Sequence, residues 1–163
     1  MAEESKLSLL SNANWFAVSD QNPSAMGLYR KHYSKYKYKD NRKHMGGIMP
    51  PGEHLLLMTA DGLAIFGWLY QTVERRDKQK GVCCTVFRNE SPRLSSDLIL
   101  EAMDLAWQRW SGERLWTYVN PNKIRSSNPG YCFKQAGWQK AGTSKINNLL
   151  IFEISPSQIK DTR

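Results

Sequence analysis

The chain of 163 residues has no apolar run close to the roughly 20 residues that a membrane helix needs. Its first residues are acidic before they become apolar, which is the wrong order for a secretory signal peptide. A cytoplasmic protein without a membrane partner is therefore expected. The hydrophobic content of 40% is that of an ordinary globular chain, and the length suits one domain.

Cysteine is also scarce. Cys83 and Cys84 are adjacent, Cys132 lies far along the chain, and no CxxC spacing occurs. Disulfide frameworks and structural zinc sites use more cysteines at characteristic spacings. The sequence therefore argues against both.

Positive charge is abundant and unevenly placed. Residues 30–43 hold seven basic side chains and one acid, which accounts for most of the net charge of +8. Such an excess predicts a polyanionic partner, nucleic acid first and coenzyme phosphates second. The candidate DNA-binding residues are Arg30, Lys31, Lys35, Lys37, Lys39, Arg42 and Lys43, joined by Lys123 and Arg125 in a later loop. A solvated helix face followed by a flexible loop explains the same stretch without a partner.

Apolar periodicity and turn residues predict a single α/β domain with a mixed, mostly antiparallel sheet flanked by helices. An arm at 1–13 and a polar tail at 156–163 flank this domain at 14–155. The predicted strands lie at 15–18, 54–60, 63–70, 81–87, 114–119 and 148–154, and Asp61-Gly62 forms the turn between the second and third. A first helix at 24–36 is capped by Asp20 or Asn22, and a second is capped by Ser95 or Ser96 and ends at Gly112. A short third helix ends at Gly137-Trp138.

Polar side chains follow two of these strands at the points where they end. Arg88 and Asn89 come directly after the strand at 81–87, and Asn120 follows the strand at 114–119. The β-loop-α-β order predicts that these two strands are parallel, so their ends meet at one edge of the sheet. The sequence therefore predicts a site there. Solvated strand ends and a capped loop without chemistry are the alternative.

The order of elements over residues 15–154, together with KQAGW before the last strand, resembles the GNAT acyltransferase superfamily. The resemblance implies an acyl-CoA between the two central strands, with its pyrophosphate on the loop and helix start at 88–96. The donor-binding candidates are Arg88, Asn89, Arg93, Ser95 and Ser96. The family's loop usually carries glycines, whereas this one reads RNESPRLSS. Phe133 stands where many members have a proton-donating tyrosine.

Three motifs are similar to a narrower group, the phage-borne Mom-type proteins. They are HYS at 32–34, VFRNE at 86–90 and YVNPNKIRSSNPGYCF at 118–133. This resemblance implies modification of adenine in double-stranded DNA to a carbamoylmethyl form, which protects DNA from restriction. It also implies a small-group donor and iron, with Tyr33 as a metal ligand. The catalytic candidates are His32, Tyr33, Tyr131, Asn120 and Ser126.

Three functions remain open at this point. The first is a GNAT-like transferase that modifies DNA, and the second is an acyl-CoA-dependent N-acetyltransferase of a small amine or protein. The third is a DNA-binding module without catalysis. For His32 and Tyr33 the structural alternative is a core-facing tyrosine with an exposed histidine beside it. The donor group, the metal and the oligomeric state, a dimer included, are not fixed by the sequence.

Overall fold

A computed structural model describes residues 14–32, 46–71, 74–124 and 127–160 of the chain. Seven strands form one sheet in the order β1-β2-β3-β4-β5-β7-β6. The strands are β1 (Trp15–Ala17), β2 (Glu53–Thr59), β3 (Ala64–Tyr70), β4 (Val82–Asn89), β5 (Leu115–Val119), β6 (Gln139–Thr143) and β7 (Leu150–Ile154). The helices are α1 (Pro23–Lys31), α2 (Ser95–Arg109), α3 (Tyr131–Gln135) and α4 (Pro156–Lys160).

The pairing confirms the predicted fold class. β4 and β5 pair in parallel, and the other neighbouring strands pair antiparallel. The crossover from β4 to β5 contains α2, as the β-loop-α-β pattern predicts. Since β4 and β5 lie in the middle of the sheet, any opening between them is walled by sheet on both sides.

One face of the sheet packs against α2 and α3. The packed strand residues include Phe66, Trp68 and Phe152, all fully buried. Trp68 donates its indole N–H to the Ala102 carbonyl at 2.9 Å, and Trp15 does the same to Leu98 at 2.8 Å. Burial of these rings supplies much of the hydrophobic stabilisation, and their polar atoms are paired.

The other face carries two separate clusters. α1 covers β2, β3 and the middle of β4, and the short segment at 48–49 packs beside it. The helix begins where predicted, because the Asn22 side chain accepts a hydrogen bond from the Ala25 amide and Pro23 occupies the first turn. Cys83, Trp116 and Ile151 form the second cluster, over β4, β5 and β7. The groove described below lies against this face.

Three features differ from the sequence-based prediction. α1 ends at Lys31, with His32 in extended conformation, while the remainder of the predicted helix lies outside the described residues. α2 has Leu94 rather than Ser95 or Ser96 as its N-cap, and Ser95 Oγ accepts a hydrogen bond from the Asn89 side chain.

The third difference is β6, a strand that the sequence pattern does not predict. Its side chains are mostly exposed, so they show no apolar alternation. The predicted polar tail contains α4. There the Ser155 amide donates to the Gln158 side chain at 2.7 Å, which is one of the two hydrogen bonds of a capping box. The sequence SPSQ is typical of this motif.

Gly130, at the start of α3, should not tolerate a side chain. Its φ is +79°, and a Cβ would lie 2.5 Å from the Phe152 ring. Gly130→Ala is expected to lower the free energy of unfolding by about 2–4 kcal/mol, through backbone strain and overpacking together. Urea denaturation followed by circular dichroism measures the loss.

Gly112→Ala is the matched control for that substitution. Its φ is +78°, but a Cβ there would meet no atom of the described residues within 4 Å. Gly112→Ala should therefore lower the free energy of unfolding by only about 1 kcal/mol, the cost of the backbone strain. Equal losses in the two variants would show that contact with Phe152 is not what demands glycine at 130.

Candidate functional site

A groove opens where β4 and β5 separate. The two strands pair along Val82–Cys84 and Leu115–Thr117, and the Thr117 hydroxyl donates to the Cys84 carbonyl at 2.9 Å at the end of this pairing. Beyond that point both strands continue, and their ends line a groove of about 1600 Å³. Arg88 and Asn120 both lie in its lining, so the predicted convergence of the two strand ends is confirmed.

A β-bulge lies at the point of separation. Trp68 of β3 faces Cys84 and Gly67 faces Val86, which makes Thr85 the extra residue. A Cβ at Gly67 would approach the Met49 sulfur to 2.8 Å and the Thr85 hydroxyl to 3.1 Å, so the close packing here requires glycine. Bulges frequently lie beside active sites, because they bend a strand and re-aim its groups. Sequence reasoning missed Thr85, although a glycine inside an apolar strand is a known signal.

His32 is positioned between the end of α1 and the end of β4. It hydrogen-bonds with the backbone of Phe87 and lines the groove. Burial, with the positive charge of Arg88 adding to it, lowers the pKa of His32 from 6.5 to about 4. The imidazole is therefore neutral at pH 7, the form that accepts a proton.

Ion pairs fix this end of the groove. Arg88 Nε lies 2.7 Å from Glu90 Oε2, and Lys31 Nζ lies 3.3 Å from Glu90 Oε1. Arg88 also donates to the Lys31 carbonyl at 3.2 Å. These contacts join the C-terminus of α1 to β4. They occupy part of the donor capacity of Arg88, which still lines the groove.

Asn89 organises the loop between β4 and α2. Its amide nitrogen donates to the Arg93 carbonyl at 2.8 Å and to Ser95 Oγ at 3.0 Å, while its oxygen accepts from the Ser91 amide at 2.9 Å. Ser95 and Ser96 border a smaller cavity of about 320 Å³ beside α3. The side-chain contacts of Asn89 thus shape a loop that has no glycine.

Arg93, predicted to face the donor, is directed elsewhere. Its guanidinium lies 2.7 Å from Asp61 Oδ2 in the β2–β3 turn and 2.9 Å from Asn14 Oδ1. These contacts join the loop to the β2–β3 turn and to the residue that precedes β1. They give Arg93 a structural position outside the lining of the groove.

The wall after β5 contains several predicted residues. Asn120 accepts from the Asn122 amide at 3.0 Å, Lys123 is exposed, and Tyr131 is 54% exposed at the start of α3. Phe133 is buried between Phe87 and Trp138, so the position that carries a tyrosine in many GNAT proteins holds a core phenyl ring here. The other predicted residues lie outside the described part of the chain: Tyr33, Lys35, Lys37, Lys39, Arg42, Lys43, Arg125 and Ser126. Arg30 is exposed on α1.

The remaining wall of the groove contains Arg75, Asp77 and Tyr118, which the sequence analysis did not predict as site residues. Arg75 forms a two-pronged pair with Asp77, at 2.9 and 2.8 Å, and Tyr118 donates to Asp77 at 2.8 Å. Burial, followed by the bond to Asp77, raises the pKa of Tyr118 to about 12. The Arg75 guanidinium stacks over the buried Trp116 ring at 4.9 Å. The sequence shows only a charged loop here, and no spacing in it identifies the partners.

The described ranges contain neither a metal-binding cluster nor a membrane-spanning helix. Those ranges contain no group of three or more His, Cys, Asp or Glu side chains placed to hold a metal ion. The predicted iron ligand Tyr33 is outside them, so its role stays a prediction. Within them, no helix has both the length and the apolarity to cross a membrane.

Two solved structures share this architecture. The aminoglycoside acetyltransferase AAC(6')-Ib in complex with coenzyme A is 11% identical, with a TM-score of 0.63, and the match covers 92% of this chain and 98% of that one. An acyl-CoA N-acyltransferase from Pseudomonas aeruginosa is 14% identical, with a TM-score of 0.53, and covers 85% and 97%. The chain has a GNAT-like fold. No family model and no curated protein sequence matches it. The narrower likeness to Mom-type proteins stays a prediction.

The neutral state of His32 makes stability depend on pH. In the unfolded chain His32 takes up a proton near its usual pKa of 6.5, whereas in the folded protein it does so near 4. Between these two pH values the unfolded state binds this proton and the folded state does not, which favours unfolding. The free energy of unfolding should therefore fall as the pH falls from 6.5 to 4. In His32→Gln this part of the dependence should disappear. Chemical denaturation at a series of pH values measures it.

Histidine NMR titration checks the cause. Arg88→Gln should raise the pKa of His32 because it removes a nearby positive charge. A His32 that titrates near 6.5 in the unaltered protein would contradict the placement of its ring.

Proposed function

We propose that the protein is an acyl-CoA-dependent N-acyltransferase. The observation that carries the proposal is the separation of β4 from β5 at the Thr85 bulge, beside the N-terminus of α2. This arrangement offers a slot for an extended donor and an open groove for an acceptor. The two similar structures support the proposal, because both are described as acyltransferases and one holds coenzyme A.

The residues around the slot fit an acyl-CoA. Backbone groups of β4 beyond Cys84 face the space that β5 vacates, where they can bind the amide-rich arm of the coenzyme. The first turn of α2 offers amide N–H groups without helical partners, and such groups bind phosphate oxygens. Asn89, Ser95 and Ser96 are the side chains proposed to hold the pyrophosphate. When bound, acyl-CoA supplies an activated thioester.

The groove supplies groups for proton transfer. The acceptor nitrogen attacks the thioester carbonyl, the C–S bond breaks, and the departing thiolate needs a proton. We assign the proton from the acceptor nitrogen, which becomes acidic once it has attacked, to neutral His32, and delivery to the thiolate to the exposed Tyr131 hydroxyl. His32 then releases its proton to water, and the Tyr131 oxygen regains one from water. Asn120 is assigned to orient the acceptor. Tyr118 is less suited to proton delivery, because its hydroxyl already donates to Asp77.

Isothermal titration with acetyl-CoA tests the donor site. Saturable binding with one molecule per chain is expected, together with release of free coenzyme A thiol when an amine acceptor is supplied. Asn89→Ala should weaken acetyl-CoA binding about tenfold or more, because the loop loses four hydrogen bonds that hold its shape.

Gln108→Ala, on the exposed side of α2, is the control and should leave acetyl-CoA binding unchanged. If the unaltered protein neither bound acetyl-CoA nor released thiol with any amine, the proposed activity would be wrong.

A second candidate is modification of DNA by the same fold. Its support is the basic sequence at 30–43, of which Arg30 and Lys31 are exposed at the end of α1, with Lys31 in the groove lining. Mass spectrometry of nucleosides from DNA of cells that express the protein separates the two candidates. A modified adenosine would favour DNA as the acceptor, and an unmodified profile would favour a different acceptor.

A further inference from the structure

The groove also indicates what class of acceptor it takes. We infer that the acceptor is an amine carried on an anionic molecule, whose charge comes from a phosphate or carboxylate group, and that polycationic amines are rejected. This inference rests on the proposed acyltransferase function and specifies the acceptor. It comes from the balance and the pairing of the charges that line the groove.

Positive charge predominates in the lining. Among the described residues, its charged side chains are five cations and two carboxylates, and the carboxylates are Asp77 and Glu90. The cations are Lys31, Arg75, Arg76, Arg88 and Lys123. His32 adds no charge at pH 7, because its pKa is lowered to about 4. A cleft with one predominant sign of charge concentrates ligands of the opposite sign.

Both carboxylates are already bound to cations. Asp77 is held by Arg75 at 2.8 Å and by the Tyr118 hydroxyl. Glu90 is held by Arg88 at 2.7 Å and by Lys31 at 3.3 Å. An ammonium group that sought a carboxylate in this groove would have to displace an arginine from a short, charge-assisted contact. The groove therefore offers a polyamine little compensation for its lost hydration.

Two of the cations remain uncompensated. The side chains of Arg76, on the β3–β4 loop, and of Lys123, on the loop after β5, make no hydrogen bond or ion pair with any residue of the described ranges. Both are exposed, and they come from different walls of the groove. Arg76 and Lys123 are therefore the side chains most able to hold an anionic group of the acceptor.

The sign of this charge separates the chain from one of its structural neighbours. Aminoglycosides carry several amino groups that are protonated near neutral pH, so an acetyltransferase that accepts them must receive a polycation. The described groove of this chain is lined mainly by cations and therefore suits a polycation poorly, although the fold is shared. A shared fold does not carry substrate preference with it.

The test uses three amines with different charge on the full-length protein: glucosamine 6-phosphate, glucosamine and kanamycin. Binding of each is measured by NMR chemical-shift titration in the presence of saturating coenzyme A. The phosphorylated sugar is expected to bind about tenfold more tightly than glucosamine, the lower end of the electrostatic effect in a charged cleft. Kanamycin is expected not to bind. Equal or tighter binding of glucosamine or kanamycin, or no binding of glucosamine 6-phosphate, would overturn the inference.

A charge-reversal pair assigns the effect to the named side chains. The double variant Arg76→Glu/Lys123→Glu should lose the preference for glucosamine 6-phosphate. Lys140→Glu, on exposed β6 and outside the groove lining, should keep it. If the double variant retained the preference, the assignment to Arg76 and Lys123 would be wrong.

Acetyl-CoA titration distinguishes a donor role from an acceptor role. Unchanged acetyl-CoA binding in the double variant is expected if the two cations serve the acceptor. A loss of acetyl-CoA binding as large as the loss of phosphate-sugar binding would assign them to the donor and overturn the inference. If the unaltered protein bound no acetyl-CoA, the proposed acyltransferase function would fail separately, whatever the preference among the three amines.

Discussion

The separation of β4 from β5 is the constraint on which the rest of the structure depends. Parting two central strands forfeits hydrogen bonds, and each unmet backbone group costs free energy unless water or a ligand binds it. The Thr85 bulge permits the parting, and Gly67 leaves room for the Met49 side chain that packs there. The second face of the sheet is buried by two distinct clusters, one under α1 and one around Trp116 that spans β4, β5 and β7.

The ion pairs around the groove contribute more to geometry than to stability. Exposed pairs such as Lys31–Glu90 stabilise a fold little, because water and salt screen the attraction between the two charges. Their effect here is to hold the end of α1 against β4 and to neutralise both carboxylates of the lining. The same arginine that fixes the helix end helps to keep His32 neutral. Anchoring and proton affinity are therefore coupled at one residue.

Sequence patterns sufficed for features that depend on local order. The apolar run of β4, the Asp61-Gly62 turn and the cap at Asn22 could each be predicted, and the β-loop-α-β order placed Arg88 and Asn120 in the lining of one groove. Features that depend on distant partners could not. Arg93 is turned away by Asp61 and Asn14, and Asp77 is held by a tyrosine forty-one residues later. No periodicity encodes such pairs, because each partner is an ordinary polar residue in its own segment.

The loop at 88–96 shows how a missing signature can be misleading. Glycine allows a loop to turn tightly at no steric cost, and its absence suggests a loop that a phosphate cannot approach. Here the Asn89 side chain stabilises the turn, since it forms hydrogen bonds with four groups of the loop and leaves the first turn of α2 accessible. A coenzyme at that helix start and an anionic acceptor in the groove would both draw on the excess of cations. The cations that line the groove thus have an explanation within one site, and they do not by themselves require a nucleic acid.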